Sequence, residues 1–177
     1  MAQTLRPPSL EPLALGGCSA QHVGMSAVTT TPAASPEAAA RHFAARLSCE
    51  TDAADVGAAI AAGDVDFVLV DVRSRPAFAA GHVPGAISLP HGEIDAATVS
   101  SLPDGLLVVY CWGPGCNAAQ HGGRKLAAHG RHVKEMIGGW EYYVREGLPV
   151  EGELAEAGFY EADQTGLVGL PRSSQIG

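Results

Sequence analysis

Two short apolar runs constrain the fold of this chain more than any other feature. The stretches "VDFVLVDV" (65–72) and "GLLVVYC" (105–111) have the length of strands and are rich in β-branched and aliphatic residues. Neither run shows the polar alternation of a half-exposed strand, so both predict strands that are buried on both faces. Helical patterns lie before, between and after them, and such alternation predicts an α/β fold with a mainly parallel sheet.

Weaker signals place the other elements. Ser35 and Asp52 are predicted to cap helices over residues 35–48 and 52–64, and Gly63 to end the second one. A short helical piece holds Phe78, and a short strand is predicted at 86–89. Further helices are predicted over 92–102, 117–130 and 140–147, and a last strand within 132–139.

Composition shifts at both ends predict one domain between two tails. Residues 1–35 are rich in Pro, Thr, Ser, Ala and Gly without a sustained period, which predicts a disordered extension that includes Met25, an alternative start. Residues 36–151 are predicted to form the domain, including a preceding N-terminal helix. Residues 152–177 lack clear periodicity and are interpreted as a tail.

Charge and hydropathy exclude several classes of function. The chain has 177 residues, 46% hydrophobic and 17% charged, with a net charge of −8 and no basic cluster longer than Arg124-Lys125. A nucleic-acid binder needs a concentrated basic face, so no nucleic-acid partner is expected. No run is long enough to span a bilayer, and prolines precede "LALGGC" where a lipoprotein signal needs an apolar segment. A cytoplasmic location is therefore expected, with the cysteines as thiols.

The loop "CWGPGC", which follows the second buried strand, is the strongest candidate site. Cys111 stands at the carboxyl end of a strand, where α/β proteins bind ligands. Gly113 and Gly115 permit a tight turn whose amides converge, and a helix begins soon afterwards. Amides and a helix N-terminus both stabilise an anion, so a Cys111 thiolate is expected to be stabilised there.

Other interpretations of the loop fit less well. A zinc site would need more ligands at suitable spacing, and the five-residue separation of Cys111 and Cys116 with His121 nearby is a poor match, so no metal is expected. Two buried structural cysteines are an alternative. A phosphatase cradle would need an arginine at the position of Asn117, and a neutral amide lacks the charge and the bidentate fork.

Three segments, in order, resemble the rhodanese (sulfurtransferase) family, of the single-domain type. "VLVDVRSRPAFAAGHVPGAISLP" resembles its first signature, "VVYCWGPGCNAA" its strand, catalytic cysteine and loop, and "VKEMIGGWEYYVREGLPV" its closing strand and helix. The resemblance covers roughly residues 53–151. It implies a sheet of about five mainly parallel strands with helices on both faces, and no cofactor.

The resemblance also implies a persulfide on Cys111, which passes a sulfane sulfur from a donor to an acceptor such as cyanide or a thiol. The residues expected to bind substrate are those of the loop and one arginine: Trp112, Gly113, Pro114, Gly115, Cys116, Asn117 and Arg73. Many family loops carry basic or hydroxyl residues where this chain has Trp112, Gly115 and Cys116. That departure weakens the case for thiosulfate as the donor and leaves a glutathione or protein persulfide as the alternative.

Each candidate residue also has a plainer interpretation. Cys116 is either a redox partner of Cys111 or a filler of the loop wall. Trp112 is either a stacking surface at the pocket mouth or a packing residue, and Asn117 is a candidate helix cap. Asp71 and Arg73 are expected to brace the end of the first strand more than to do chemistry.

The remaining polar candidates are expected to be structural or superficial. His82 is expected to form a structural hydrogen bond and Arg75 to lie at the surface. His121 is a weak candidate for a base, since a stabilised thiolate needs none. Cys18 and Cys49 are interpreted as incidental.

The sequence thus predicts a sulfurtransferase with a small-molecule donor and acceptor, a protein thiol being an alternative acceptor. A thiol redox or metalloid-reducing enzyme using Cys111 and Cys116 is a second hypothesis. A non-catalytic binding module of the same fold is a third. The sequence makes no prediction of the oligomeric state.

Overall fold

A five-stranded parallel sheet forms the centre of the fold. The computed structural model describes residues 26–153 of the chain. The strands are β1 (Glu50–Asp52), β2 (Phe67–Asp71), β3 (Ile87–Ser88), β4 (Leu106–Tyr110) and β5 (Val133–Ile137), in the order β1-β5-β4-β2-β3. The helices are α1 (Pro36–Cys49), α2 (Ala53–Ala62), α3 (Arg75–Ala80), α4 (Ala96–Ser100), α5 (Ala118–Ala128) and α6 (Gly139–Arg145). The predicted α/β class is confirmed, and every strand pair is parallel.

The two predicted buried runs form the middle of the sheet. β2 and β4 pair along their full lengths, from Phe67 with Leu106 to Asp71 with Tyr110. Their parallel pairing brings both carboxyl ends to the same edge. Val70 and Val109 are fully buried, which is the two-sided burial that the runs predicted.

The edge strand β1 was not located from the residues. Its three residues, "ETD", carry no apolar signal, and they form a strand because they pair with Glu135, Met136 and Ile137 of β5. The fifth strand was implied by the family resemblance alone. Long-range pairing, not local pattern, makes this segment a strand.

Local signals placed α2 correctly. The Asp52 side chain accepts a hydrogen bond of 2.8 Å from the backbone N–H of Asp55. At the other end Gly63 takes a left-handed conformation with a φ of 74° and closes the helix, as predicted.

Helices cover both faces of the sheet. On one face, Val99 of α4 and Leu126 of α5 pack against Val70 and Val109. On the other face, Val56 of α2 and Tyr143 of α6 belong to a second cluster. The site described below lies at the carboxyl edge between these layers.

The predicted tails fall mostly beyond the described residues. Positions 1–25 and 154–177 lie outside them, including Cys18 and Met25, so the extension and the tail remain predictions. Two compact units divide the chain, Met1–Pro36 and Glu37–Gly177. In the first, the hydroxyl of Thr30 donates to the carbonyl of Ser26 within a turn. Across residues 26–153, the helices all fall short of the length and apolarity needed to cross a bilayer.

Candidate active site

The loop that carries Cys111 connects the end of β4 to the start of α5. Residues 111–117 leave the sheet at its carboxyl edge, and the backbone N–H of Cys116 donates to the carbonyl of Gly113 at 2.9 Å. This turn reverses the chain within five residues. Cys111 and Cys116 therefore lie on the same side of the loop.

Helix α6 fixes the loop from the other side. The backbone N–H of Trp140 donates to the carbonyl of Cys111 at 2.9 Å, and that of Glu141 donates to the carbonyl of Trp112 at 2.8 Å. Both donors lie in the first turn of α6, whose N–H groups have no partner within the helix. The start of α6 thus clamps the backbone at the candidate nucleophile.

Gly139 allows this close approach. A Cβ at this position would lie 2.6 Å from the carbonyl oxygen of Cys111 and 3.0 Å from the nitrogen of Gly113. Its φ of 58° also lies in the left-handed region that favours glycine. Space and backbone conformation both require glycine here.

The two loop cysteines lie close together, and each shifts the pKa of the other. Cys111 is only 3% exposed, and its thiol donates a hydrogen bond of 3.0 Å to the carbonyl oxygen of Cys116. The side chains of the two cysteines also interact with each other. Both are free thiols, Cys116 being the more accessible.

Burial raises the pKa of the Cys111 thiol, and the neighbouring Cys116 raises it further by hydrogen bonding and by its charge. The backbone N–H groups of Ala119 and Gly113 act in the opposite direction. Partial burial would also raise the pKa of Cys116, but hydrogen bonds from the backbone of Ala118, the Cys111 thiol and the backbone of Trp112 lower it overall.

The amides expected around Cys111 act in the expected direction and favour its thiolate, but the net pKa shift of the thiol is upward. Burial and a second sulfur outweigh them. The directions of the two pKa shifts make Cys116 the more acidic thiol of the pair.

Arg73 braces the site and also lines a cavity that Cys111 and Cys116 line. Its side chain is fully buried and forms an ion pair with Asp71 at 2.6 Å and a hydrogen bond of the same length to the carbonyl of Gly81. Its guanidinium carbon lies 4.7 Å from the ring centroid of Trp112 and 4.6 Å from that of Trp140. This arrangement agrees with the expected bracing role, and the substrate contact predicted for Arg73, whose Nη1 atom has no hydrogen-bond partner among the described residues, stays a prediction.

The other loop residues have distinct environments. Trp112 is 51% exposed and stacks over Arg73, so it lies at the mouth of the site while also packing. Gly113 and Pro114 line a cavity with both cysteines, whereas Gly115 has open space where a Cβ would stand. Asn117 occupies the cap position of α5 but makes no side-chain cap hydrogen bond, so that part of the prediction is wrong.

His82, His121 and Arg75 have contacts of their own outside the cysteine pair. The imidazole Nδ1 of His82 lies 2.8 Å from the Phe78 carbonyl oxygen, and its ring stacks on Phe78, which confirms a structural role. His121 is exposed, with its ring 6.5 Å from that of His91. Arg75 forms a surface ion pair with Glu93.

Two cavities of about 430 Å³ flank the cysteine pair. The first, here called the acidic cavity, is lined by the pair together with Asp52, Glu135 and Glu146. The second, here called the His91 cavity, lies on the side of His91 and Glu93. Both place the pair in their walls, so a small molecule in either cavity can reach a thiol.

Sequence reasoning missed the three carboxylates of the acidic cavity. They come from the end of β1, from β5 and from the residue after α6, which only the fold brings together. Among residues 26–153, no three His, Cys, Asp or Glu side chains are placed to hold one metal ion. One signal was available, since Glu135 interrupts an apolar strand.

Comparison with known proteins places this geometry in a family. Residues 52–146 match the family described as "Rhodanese-like domain". The BH2092 protein of Bacillus halodurans is similar in structure, with a TM-score of 0.65 and 42% identity over 67% of this chain and 88% of that one. The Rhodanese-like domain of the Alr3790 protein from Anabaena has a TM-score of 0.54 and 29% identity, covering 59% of this chain and 80% of its own.

A curated relative has a different architecture. The HTH-type transcriptional regulator Rv0324 of Mycobacterium tuberculosis is 38% identical over 90 residues, which are 51% of this chain. The match covers only 39% of that regulator. The similarity therefore concerns one part of a larger protein.

Proposed function

The chain belongs to the rhodanese-like domain family, and from that membership we propose that it is a sulfurtransferase that carries a sulfane sulfur on Cys111. One observation supports this assignment above the others. Cys111 lies buried at the carboxyl end of β4, where the backbone N–H groups of Ala119 and Gly113 favour a negative charge on its sulfur. Such donors stabilise negative charge that forms on the sulfur during transfer.

The first step is nucleophilic substitution at sulfur. The Cys111 thiolate attacks the outer sulfur of a donor persulfide, R–S–SH. The new Cys111 S–S bond forms as the donor S–S bond breaks, and R–S⁻ leaves. With thiosulfate the leaving group is sulfite. Covalent storage divides one transfer into two easier ones.

The second step regenerates the thiolate. An acceptor thiolate or cyanide attacks the outer sulfur of the Cys111 persulfide, and the electron pair of the breaking S–S bond returns to Cys111. No net oxidation occurs. The acceptor leaves as a persulfide or as thiocyanate.

The cysteine pair supplies the attacking thiolate. We take Cys116, whose pKa is lowered by its hydrogen bonds, as the thiol of the pair that ionises first. The proton of Cys111 then moves to the adjacent Cys116 sulfur as the donor arrives, so the buried thiol becomes nucleophilic without an external base. The turn from Gly113 to Cys116 brings the second cysteine back beside the first and keeps the path of the proton short.

Intact-mass spectrometry after brief exposure to a sulfur donor tests the proposal. We expect an added mass of one sulfur atom that cyanide removes and that Cys111→Ser abolishes. Cys49→Ser is the matched control, because Cys49 is an exposed free cysteine on α1. Persistence of the adduct in Cys111→Ser, or its absence with every donor, would contradict the assignment and favour a binding module without catalysis.

A second candidate function is dithiol redox chemistry, which the contact between Cys111 and Cys116 favours. A peroxide would oxidise the Cys116 thiolate to a sulfenic acid, and Cys111 would displace water to form a disulfide. Cys116→Ser separates the two functions. Sulfur transfer that survives in Cys116→Ser assigns the site to sulfurtransfer, whereas peroxide-dependent disulfide formation without any sulfur loading in the unmodified chain assigns it to redox chemistry.

The setting of the reaction is part of the proposal. We place the protein in the cytoplasm, where both thiols stay reduced. Its partners are a small-molecule sulfur donor and acceptor, with a protein thiol as an alternative acceptor.

A further inference from the structure

We propose that the acidic cavity selects sulfur donors and acceptors that carry an ammonium group, such as aminothiols and their persulfides. This inference rests on the proposed function and names its substrate class. It follows from the charge of the cavity wall, the burial of that charge and the position of the cysteine pair.

The charged side chains that line the acidic cavity are all negative. Asp52, Glu135 and Glu146 line it, while no Lys, Arg or His is among its lining residues in the described part of the chain. The nearest cation along α6, Arg145, is paired with Glu141 at 2.8 Å. An anionic donor would enter against this field, whereas an ammonium would be attracted by it.

The carboxylates are partly desolvated and repel one another. Burial raises the pKa of Glu146, and the charge of Asp52 raises it further. Burial likewise raises the pKa of Glu135, with a further contribution from Glu50 and an opposing hydrogen bond from Gln120. Within residues 26–153 neither Glu135 nor Glu146 forms an ion pair, and a bound ammonium would supply the missing positive charge.

Glu146, one of the residues that line the acidic cavity, has an unused acceptor. Its Oε2 atom is buried and has no hydrogen-bond partner among the described residues. A buried acceptor without a donor is costly, and a ligand N–H group can satisfy it. The missing partner of this oxygen is a hydrogen-bond donor, and an ammonium group is such a donor.

Two other occupants fit less well. A metal ion would need three ligands around one point, and residues 26–153 hold no such group. Thiosulfate would need cations, but in the His91 cavity Arg73 is bound to Asp71 and Glu93 to Arg75. A cavity of about 430 Å³ next to the thiols instead suits a small organic molecule with sulfur at one end and an ammonium at the other.

The transfer balances without any other reactant. The acceptor thiolate of an aminothiol attacks the outer sulfur of the Cys111 persulfide. A new S–S bond forms on the acceptor, the Cys111 S–S bond breaks, and the electron pair returns to the Cys111 thiolate. The ammonium takes no part in bonding and acts only through its charge and hydrogen bonds.

The test compares three acceptors of matched size that differ in charge: cysteamine, mercaptoethanol and mercaptopropionate. The protein is loaded with one sulfur, and the rate of sulfur loss to each acceptor is measured in single turnovers and divided by its thiolate concentration. We expect cysteamine to react at least about tenfold faster than mercaptopropionate, with mercaptoethanol between them. Raising the ionic strength should shrink this ratio.

Variants identify the carboxylates responsible. Glu135→Gln, Glu146→Gln and the pair together should reduce the ratio stepwise toward that of the free thiols. Asp64→Asn with Asp104→Asn, on exposed positions, gives the same change in net charge and should leave the ratio unchanged. Glu93→Gln tests the His91 cavity instead.

The outcomes separate this inference from the proposed function. If sulfur loads onto Cys111 but the normalised rates show no order by charge, the inference is wrong and the sulfurtransferase assignment stands. A ratio that falls in Glu93→Gln and not in Glu146→Gln also overturns it. If no sulfur loads with any donor, the proposed function itself fails.

Discussion

The Cys111 thiol donates a hydrogen bond to the carbonyl oxygen of Cys116 at 3.0 Å, across a loop that turns within five residues. The same loop directs amide N–H groups at both sulfurs. The buried cysteine therefore depends on its neighbour for its protonation state. This dependence is open to direct measurement.

Removing Cys116 should make Cys111 more acidic. Cys116 raises the pKa of Cys111 by hydrogen bonding and by its charge, so Cys116→Ala should shift alkylation of Cys111 to lower pH. Peptide mapping after iodoacetamide treatment over a pH series would measure this. Cys116→Ser, which keeps a hydrogen-bonding group without a thiolate, should give a smaller shift. Unchanged alkylation of Cys111 in both variants would show that Cys116 does not raise the pKa of Cys111.

Removing one partner of the buried Asp71–Arg73 pair should destabilise the fold strongly. Arg73→Met leaves a buried carboxylate without a partner, and such changes cost roughly 3–5 kcal/mol. Arg73→Lys keeps the charge but loses the bidentate geometry and the stacking between Trp112 and Trp140, so a smaller loss of about 1–2 kcal/mol is expected.

Urea unfolding followed by circular dichroism would measure both Arg73 variants. Adding Asp71→Asn to Arg73→Met should recover part of the lost stability, because it removes the unpaired charge. Recovery in that double variant would identify burial of the carboxylate as the cause. Additive losses would contradict that explanation.

Gly139→Ala should disrupt the cysteine loop. The new methyl group would meet the backbone of Cys111 and Gly113, which can move only by displacing the loop. We expect sulfur loading on Cys111 to fall by at least about tenfold, with a loss of stability of about 1–3 kcal/mol. Gly85→Ala is the matched control, since Gly85 has a φ of 76° but open space around it. Equal losses of loading in both variants would mean that backbone conformation alone matters.

Two fully buried tyrosines should respond in opposite directions to removal of their hydroxyl groups. The Tyr143 hydroxyl has no hydrogen-bond partner among the described residues, so Tyr143→Phe should be neutral or stabilise by up to about 1 kcal/mol. The Tyr110 hydroxyl accepts a hydrogen bond of 3.1 Å from the N–H of Val83, so Tyr110→Phe should destabilise by roughly 1 kcal/mol or more. Thermal unfolding at neutral pH would compare them, and destabilisation by both changes would contradict the prediction for Tyr143.

Alkaline pH provides a second measurement on Tyr143. Burial, together with the charge of Glu151, raises its pKa to about 12, which favours the neutral form in the folded state. Stability from this group is present below the unfolded pKa of about 10 and is lost as the pH rises toward 12. Tyr143→Phe should flatten that part of the pH profile of unfolding. A profile identical to that of the unmodified chain would contradict the shift.

The features that could be predicted from the sequence are those that depend on residues close together in the chain. Asp52 and Gly63 were placed correctly at the ends of α2 because caps act within a few residues. The strand β4 was placed correctly because its apolar composition by itself predicts a buried strand. β1 could not be found, because its strand conformation comes from pairing with β5.

The candidate site shows the same division between features set by neighbouring residues and features set by the fold. The position of Cys111 at the end of a strand was predictable from the local pattern, whereas its raised pKa depends on burial and on the conformation of Cys116. The acidic cavity depends on Asp52, Glu135 and Glu146, which are far apart in sequence. Asn117 has the residue type and position of a cap, but the loop geometry leaves its side chain without the cap hydrogen bond.

The clamp between α6 and the loop has a consequence for biosynthesis. The N–H groups of Trp140 and Glu141 hold the carbonyls of Cys111 and Trp112, yet they leave the ribosome well after the strand that carries the cysteine. Until the later segment emerges and docks, the nascent chain holds a thiol without its final environment. The order of translation therefore means that the loop around Cys111 reaches its final geometry, and the burial that raises the pKa of its thiol, only after α6 has been made.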